Sequence, residues 1–436
     1  MSQADHPIKV AVLGCGTVGG EVVRLLQSSA PDLRSRVGAP LELIGVAVKD
    51  PAAPLPQESL VDLDQSLLTD DAVGLAGRAD VVVELIGGVE PARSAILAAF
   101  AAGASVVTAN KALLGSHGPE LYAAAAKAGV DLYFEAAVGG AIPILRPIRE
   151  SLAGDTITRI LGIVNGTTNY VLDRMTTDGL DLPEVVRQAQ ELGYAEADPT
   201  ADVDGYDAAS KAAILASLAF HTRILASNVF REGIGGVTAA DVASAAATGH
   251  VIKLLAIVER RGSEGVIARV HPALVPGDHP LAAVRGAFNA IYVEAEAAGE
   301  LMFYGRGAGG RPTASAVVGD LVTVARHRLG ATRGPGESTY LRLPALPVAE
   351  ALTRFQIRLV VKDQPGVLAA VSRVIAQEGV SIETVRQTQG AHRGGLADLT
   401  VVTHQATEGA LQKTVAAVSE LDVVAEVAGM LRVEGE

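Results

Sequence analysis

What this chain lacks narrows its chemistry before any motif is read. It has one cysteine, Cys15, in 436 residues, so it can form no disulfide framework and no cysteine-rich metal site. Its nine histidines are scattered, without the HExxH spacing that puts two imidazoles on one helix face, and no zinc site is expected. Tryptophan is absent and aromatics make up 3% of the residues, which suits close-packed parallel α/β structure rich in Ala, Val and Gly. The longest uncharged run, Ser94 to Asn110, is broken by Gly103 and reads as helix then strand, so no segment is expected to span a bilayer. The N-terminal MSQADHPIKV has an acid and no apolar core, unlike a secretory signal. Basic charge is also in short supply: the net charge of −13 argues against nucleic acid or an anionic membrane as partner. A soluble cytoplasmic protein is expected, in which any phosphate ligand relies on local amides and a few placed cations.

What is present points to a multi-domain enzyme. The length predicts about three domains at ~150 residues each, and 49% hydrophobic content is ample for large cores. The most informative stretch is Gly193 to Lys211, GYAEADPTADVDGYDAASK. It gathers Glu196, Asp198, Asp202, Asp204 and Asp207 in a loop broken by Pro and Gly, then enters a helix that carries Lys211. Asp207 and Lys211 are four residues apart and share a helix face. On an average helix such a pair is simply solvated. Here the helix continues AASKAAILASLAF, apolar on nearly all sides, which marks it as buried. Ionisable groups at the mouth of a buried helix need partners and are candidate site residues. Divalent-metal binding by the acidic loop is an alternative, but the spacing lacks the Gly and Glu that an EF-hand requires.

Ile8 to Leu13 is a short apolar run that meets Gly14-Cys15-Gly16-Thr17-Val18-Gly19 and then a helix. This is the strand, turn and helix order of the dinucleotide fingerprint. Gly14 makes the turn, Gly16 lets a pyrophosphate approach the backbone, and Gly19 allows close helix–strand packing. The phosphates are then received at the N-terminus of the helix, at Thr17 and Val18. LELIGVAV, ADVVVELIG, SVVTAN and DLYFEAAV read as further strands with helices between several of them. One such helix is expected over Pro119 to Lys127, with Pro near its start and Gly129 beyond its end. The second strand ends in Lys49 and Asp50. A cation there accommodates the 2′-phosphate of NADP, whereas an acid binds the 2′-hydroxyl of NAD. Lys49 comes first, so the reading leans to NADP, with NAD as the alternative. Cys15 lies inside the phosphate turn and no other cysteine exists, which removes enzymes that oxidise aldehydes through a thiolate. Hydride transfer to an alcohol or imine carbon remains.

Three further segments carry a family resemblance. Thr108-Ala109-Asn110-Lys111-Ala112 places Lys111 at the carboxyl edge of the sheet, where ligands bind in such folds. Glu135-Ala136-Ala137-Val138-Gly139-Gly140-Ala141-Ile142-Pro143 follows, and Gly162-Ile163-Val164-Asn165-Gly166-Thr167-Thr168-Asn169-Tyr170 is a strand-to-helix junction. With Gly193 to Lys211 and Gly305-Arg306-Gly307-Ala308-Gly309, these resemble homoserine dehydrogenase over roughly residues 8 to 330. The resemblance implies NAD(P)-linked interconversion of L-aspartate 4-semialdehyde and L-homoserine. It implies Lys211 as proton donor, with Lys111 and Asp207 framing the same centre. Glu196 would bind the substrate ammonium and Asp202 would support the pocket, while Gly193 and Gly305 would lie against the cofactor. It also implies a monovalent-cation site (Na or K) on the backbone around Glu135, Val138, Gly140 and Ile142. The chemistry agrees: hydride arrival puts negative charge on the aldehyde oxygen, and a nearby ammonium stabilises it and supplies the proton.

The expected fold class is α/β in three parts. Residues 1–135 form a Rossmann-type dinucleotide-binding domain, completed by a helix over 312–330. Residues 136–311 form an α+β substrate and dimerisation domain, with short strands at GVIARV, AIYVEA and ELMFY. Residues 331–352 read as a linker, and 353–436 as a ferredoxin-like βαββαβ module with a hairpin at Gln389 to Gly395. With D-x-P-G after its first strand this tail resembles the ACT domain, an amino-acid-binding module, although a dimerisation role without ligand is the alternative. The family resemblance implies threonine feedback near Asp363, Gly366 and Val380, and a homodimer or homotetramer. The few residues before the first strand lead to a single-function dehydrogenase, without a fused kinase, as the expectation. Another amino-acid dehydrogenase, or a sensor that binds dinucleotide and amino acid without turnover, are the rival readings.

Overall fold

The structure is a computed structural model and describes residues 6–55, 63–388 and 395–435. It forms two compact units. The first takes residues up to Gly166 together with Asp207–Val229 and Ala287–Leu343, and the second takes Thr167–Tyr206, Phe230–Gly286 and residues from Pro344 onwards.

The first unit is built on a six-stranded parallel sheet. Its strands are β1 (Ile8–Leu13), β2 (Leu41–Ala47), β3 (Leu68–Thr69), β4 (Val81–Glu84), β5 (Ser105–Thr108) and β6 (Leu132–Tyr133), in the order β3-β2-β1-β4-β5-β6. Parallel neighbours need crossovers. These are supplied by α1 (Thr17–Ser28) and α2 (Ala30–Val37), then α3 (Ala72–Ala76), α4 (Ala92–Ala101) and α5 (Lys111–Ala128). The order reverses between β1 and β4, the position at which ligands bind in such sheets. The helix Gly310–Leu329 returns to this domain and packs Ala314, Val317, Leu321 and Val324 into the core with Val10, Val22 and Val83. A second, antiparallel sheet in the same unit joins β7 (Ile157–Ile163) to Phe288–Ala295 and then Gly299–Arg306.

Two local expectations are corrected. The helix expected from Pro119 begins eight residues earlier, because Asn110 caps it by accepting from the Leu113 N–H at 3.1 Å, and Pro119 lies inside it. Its stop is as read: Gly129 takes the left-handed conformation at φ 70°. DLYFEAAV is strand only over Leu132–Tyr133 and then turns into a 3₁₀ helix, Glu135–Ala137.

The second unit contains a long hairpin, His250–Arg261 against Gly265–Pro276, whose first strand is absent from the sequence reading. Leu352–Lys362, Val367–Gln377, Ile382–Thr388, Leu396–Thr403, Glu408–Ser419 and Val424–Val433 supply the βαββαβ order of the tail. Most of the expected hairpin at Gln389 to Gly395 lies outside the described residues. Phe355, Ile357, Leu359 and Val361 alternate onto the face covered by the two helices. The last strand also pairs in parallel with the hairpin, Ala273 opposite Arg432 and Leu274 opposite Val433, so the tail shares a sheet with it. The stretch read as linker is tied down within each unit. In the first, the Gly334 N–H donates to Asp131 at 3.0 Å; in the second, Leu346 donates to Val266 at 2.8 Å. Among the described residues no helix is long and apolar enough to cross a membrane.

Candidate active site

The glycine turn has the form a dinucleotide needs. Gly14 sits at φ 99°, and a Cβ there would meet the Leu85 carbonyl oxygen at 2.7 Å. A Cβ on Gly19 would lie 2.0 Å from the Gly14 oxygen, so the helix can approach only because that side chain is missing. Gly16, by contrast, has open space around its Cβ position. It is the N-cap of α1 and offers no side-chain cap, which leaves the first-turn amides for a phosphate. Lys49 is exposed at the end of the second strand. The neighbouring Asp50 turns its carboxylate onto the Ala52 N–H at 2.9 Å.

A cluster of charges forms around Asp207. The helix Tyr206–Ala219 is buried on most sides, and Asp207 and Lys211 are 8% and 7% exposed. Lys211 Nζ donates to Asp207 Oδ2 at 2.7 Å and to the Val164 carbonyl at 2.7 Å. Lys111, the first residue of α5, pairs with the other oxygen of Asp207 and is roughly half-exposed. Asn165 Nδ2 also donates to Asp207 Oδ2, at 2.9 Å. Burial alone would raise the Asp207 carboxyl, but the Lys211 and Lys111 ammonium groups hold it well below the usual carboxylate range. The cluster therefore carries two cations on one anion, a net positive centre beside an apolar helix.

The Asn165-Gly166 junction is tight. A Cβ on Gly166 would sit 2.8 Å from the Ala287 oxygen, so the chain can leave β7 here only without a side chain. Asn165 was not among the expected site residues, although it stands in the junction motif. The signal that could have found it is its place directly after a buried strand end.

The backbone of Glu135, Val138, Gly140 and Ile142 folds into a compact buried loop. Ile142 N donates to Gly139 O at 2.9 Å, and a Cβ on Gly140 would lie 2.4 Å from Gly307 O. The Glu135 side chain does something the sequence reading omits: it accepts from the N–H groups of Ile144, Leu145 and Arg146 at 2.6, 2.8 and 2.8 Å. Asp320 accepts from the Glu135 N–H at 2.8 Å and from Arg146 Nη2 at 2.5 Å. Burial pushes the Asp320 carboxyl up to about 6, against the pull of Arg146. This acid pair anchors the loop. Gly305 lies opposite Asn289 in the antiparallel sheet of the first unit.

Gly193, Glu196 and Asp202 belong to the second unit. Gly193 has φ 75°, Glu196 is exposed, and Asp202 lies on the short helix Thr200–Val203. In the tail, Asp363 is exposed and its N–H donates to Gly395 O at 2.7 Å. Gly366 caps the helix Val367–Gln377 at φ 93°, and Val380 is buried.

Comparison with known proteins covers nearly the whole chain. The family described as homoserine dehydrogenase, NAD binding domain, matches residues 14–135; homoserine dehydrogenase matches 143–322, and the ACT domain matches 355–420. A homoserine dehydrogenase of Mycobacterium tuberculosis is 56% identical over 444 residues, spanning 99% of this chain and 98% of the relative. The crystal structure of a homoserine dehydrogenase from Thiobacillus denitrificans superposes with a TM-score of 0.91 at 38% identity, over 99% of each chain. A hyperthermophilic archaeal homoserine dehydrogenase in complex with NADPH gives a TM-score of 0.63 at 26% identity, over 76% of this chain and 100% of that one.

Proposed function

The chain belongs to the homoserine dehydrogenase family, oxidoreductases acting on a CH–OH group, and we propose that its hydride transfer is assisted by Lys211 as proton donor, with Lys111 beside it and Asp207 holding both. The observation that carries this is the pairing of two ammonium groups on one buried carboxylate. In the reduction of L-aspartate 4-semialdehyde to L-homoserine, negative charge develops on the carbonyl oxygen. A net positive, partly desolvated centre stabilises that charge before the proton moves. Lys211 then gives its proton to the oxygen, and in the reverse direction takes it back. Asp207 pairs with both lysines and aims them, and Asn165 fixes the carboxylate through its amide. The nicotinamide cofactor supplies or accepts the hydride when bound.

Glu196, an exposed carboxylate, is the proposed anchor for the substrate ammonium, with Asp202 supporting the pocket. Gly14, Gly16, Thr17, Val18 and Gly19 seat the pyrophosphate, and Gly193 and Gly305 lie along the cofactor. NADP is the proposed preferred cofactor, supported by Lys49 and by the turn that engages Asp50. A monovalent cation on the carbonyls of Glu135, Val138, Gly140 and Ile142 would act as a rigid tie for that loop. The tail is proposed to bind L-threonine near Asp363, Gly366 and Val380, and the assembly to be a homodimer or homotetramer.

The test is homoserine-dependent reduction of NADP and of NAD by the purified protein, each with and without L-threonine. Turnover favouring NADP and reduced by threonine is the expected result. Equal use of both cofactors would remove the role given to Lys49, and indifference to threonine would remove the effector assignment. Added Na or K in a cation-free buffer checks the loop site, which predicts a rise in activity.

A further inference from the structure

Glu84 ends β4 where the strand order reverses, opposite Leu13 of β1 on one side and Thr108 of β5 on the other. The strand before it is Val81-Val82-Val83, and Glu84 is as fully buried as they are. A carboxylate at that depth is costly to desolvate unless it is fully hydrogen-bonded. Glu84 meets that requirement by joining two loops. Its Oε1 accepts from the N–H groups of Ile86 and Gly87 at 2.8 and 3.2 Å, and its Oε2 accepts from the Thr108 hydroxyl at 2.6 Å. Thr108 Oγ1 accepts in turn from the Asn110 N–H at 3.0 Å, and Asn110 Nδ2 donates to Gly88 O at 2.6 Å. The circuit thus closes on itself, from Glu84 through Thr108 and Asn110 back to the loop after β4.

Two functional parts hang on this circuit. Asn110 is the N-cap of α5, so the next residue, Lys111, leaves the circuit at a fixed position. On the other side, the Leu85 N–H donates to Leu13 O at 2.7 Å, and the Leu85 carbonyl occupies the space where Gly14 would carry a Cβ. The same loop is therefore seated on the glycine turn.

We infer that Glu84 is a positioning residue for the hydride transfer: it locks the turn that carries Lys111 to the loop seated on the dinucleotide turn. It touches neither substrate nor cofactor and acts through Thr108 and Asn110. The inference rests on the reading that Lys111 works at the reacting centre. An apolar strand end would fold more cheaply, so a buried acid here is explained by the two loops it holds in register.

The experiment compares full-length Glu84→Ala, Glu84→Gln, Thr108→Val and Lys111→Ala in steady state, with NADP affinity, melting temperature and the pH dependence of kcat for each. Small misplacements of a catalytic group cost up to about 100-fold. Thr108→Val cuts only the link towards Lys111, and is expected to lower kcat about tenfold while NADP affinity moves less than about threefold. It should also change the pH profile of kcat relative to wild type, which lost stability alone would not do. Glu84→Ala should lose about 100-fold. Glu84→Gln keeps an oxygen for the Ile86 and Gly87 amides and should recover at least about fivefold of that loss. If Glu84→Ala fails to fold, Thr108→Val and Glu84→Gln carry the test. Wild-type kcat and pH profile in those two would overturn the inference, as would losses that follow melting temperature with no shift in profile. A wild-type kcat in Lys111→Ala would instead overturn the assignment of Lys111, and Glu84 would fall with it.

Discussion

Lys211 and Lys253 are both buried, at 7% and 2% exposure, one in each unit of the chain, and each must offset the cost of taking an ammonium out of water. Lys211 does so against a carboxylate, Asp207, which also holds Lys111. Lys253 bonds only to neutral oxygens among the described residues, Asn169 Oδ1 at 3.0 Å and Val284 O at 2.5 Å. Burial accordingly pushes the Lys253 pKa down to about 8, with Asp173 opposing the fall and Arg285 adding to it. A lowered lysine pKa is a common mark of a catalytic site, and on that mark alone Lys253 would be chosen. Its bonds suit a different task. It cross-links the strand His250–Arg261 to the helix Gly166–Asp178 and to the turn at Val284, whereas Lys211 shares its carboxylate with a second lysine. A carboxylate partner keeps an ammonium ready for a developing oxyanion; neutral partners hold a chain in place.

The widest separation between the two lysines should appear in turnover. Lys211→Ala is expected to lower kcat by 10³-fold or more, in line with the upper range for a lost general acid, and to leave NADP affinity within about threefold. Lys253→Met should keep kcat within about threefold. Stopped-flow and steady-state assays on both variants, with dinucleotide titration, check this. A collapse of NADP binding in Lys211→Ala, or of kcat in Lys253→Met, would erase the distinction.

Asp207→Asn sharpens the same contrast by turning the Lys211 environment into one like that of Lys253. The amide still accepts a hydrogen bond but no longer carries charge, so both lysines lose their ion-pair partner. A loss of about 100-fold at pH 7.5 is expected, from misaligned ammonium groups and a cluster with two uncompensated cations. A kcat within about threefold of wild type would show that the carboxylate charge is not needed at the cluster.

How far these arrangements were legible follows from how far apart their parts lie in the chain. Asp207 and Lys211 are one helical turn apart, so spacing and the apolar run after them were enough to single them out. Lys111 was placed near the site by the strand-end rule, but its ion pair with Asp207 spans almost a hundred residues and no local pattern encodes it. Five of the six parallel strands are legible because each is a short apolar run, whereas Leu68–Thr69 is two residues long and shows no such run; Gly14 and Gly19 are legible because helix and strand cannot approach otherwise. The motif around Glu135 points only to its backbone, while its carboxylate holds three amide groups nine to eleven residues away. Asp320, which anchors that loop, sits on the helix that Pro312 and Thr313 open, and no local pattern marks its carboxylate. Lys253 is illegible in sequence because HVIKLLAIVERR mixes charge into an apolar run, and only the pairing with Gly265–Pro276 makes it a strand. Buried polar partners are set by tertiary contact, and a single sequence shows one half of each pair at a time.

Stability against pH provides a second measure of Lys253. Its folded pKa of about 8 lies below the ordinary 10.5, so between these values the unfolded chain binds more protons than the folded one. Stability must therefore rise with pH across that window, because the penalty on the buried ammonium, fully present below pH 8, is relieved as the group loses its proton. The size is on the order of 3 kcal/mol at most, for a shift of about 2.5 pH units. Lys253→Met removes the titration, so the difference in unfolding free energy between wild type and variant should change with pH only over about 8 to 10.5. Urea melts at several pH values would show it. A difference that is flat with pH would mean that Lys253 stays charged in the fold and that its neutral oxygens serve as well as a carboxylate.

The smallest effect is expected at Lys49, an exposed lysine with no burial to offset. If it meets the 2′-phosphate of NADP, it does so in high dielectric, where one ion pair contributes about 1 kcal/mol or less. Lys49→Ala should therefore lower the preference for NADP over NAD by about fivefold, chiefly through KM for NADP, with kcat unchanged. Raising ionic strength should shrink the wild-type preference towards that of the variant, since an exposed pair is screened while the Asp207 cluster is much less so. Measuring both cofactors at two salt concentrations tests the two lysine environments in one assay. A salt-sensitive NADP preference beside a salt-insensitive kcat is the expected pattern. A preference that survives both Lys49→Ala and high salt would place the 2′-phosphate contact on another residue.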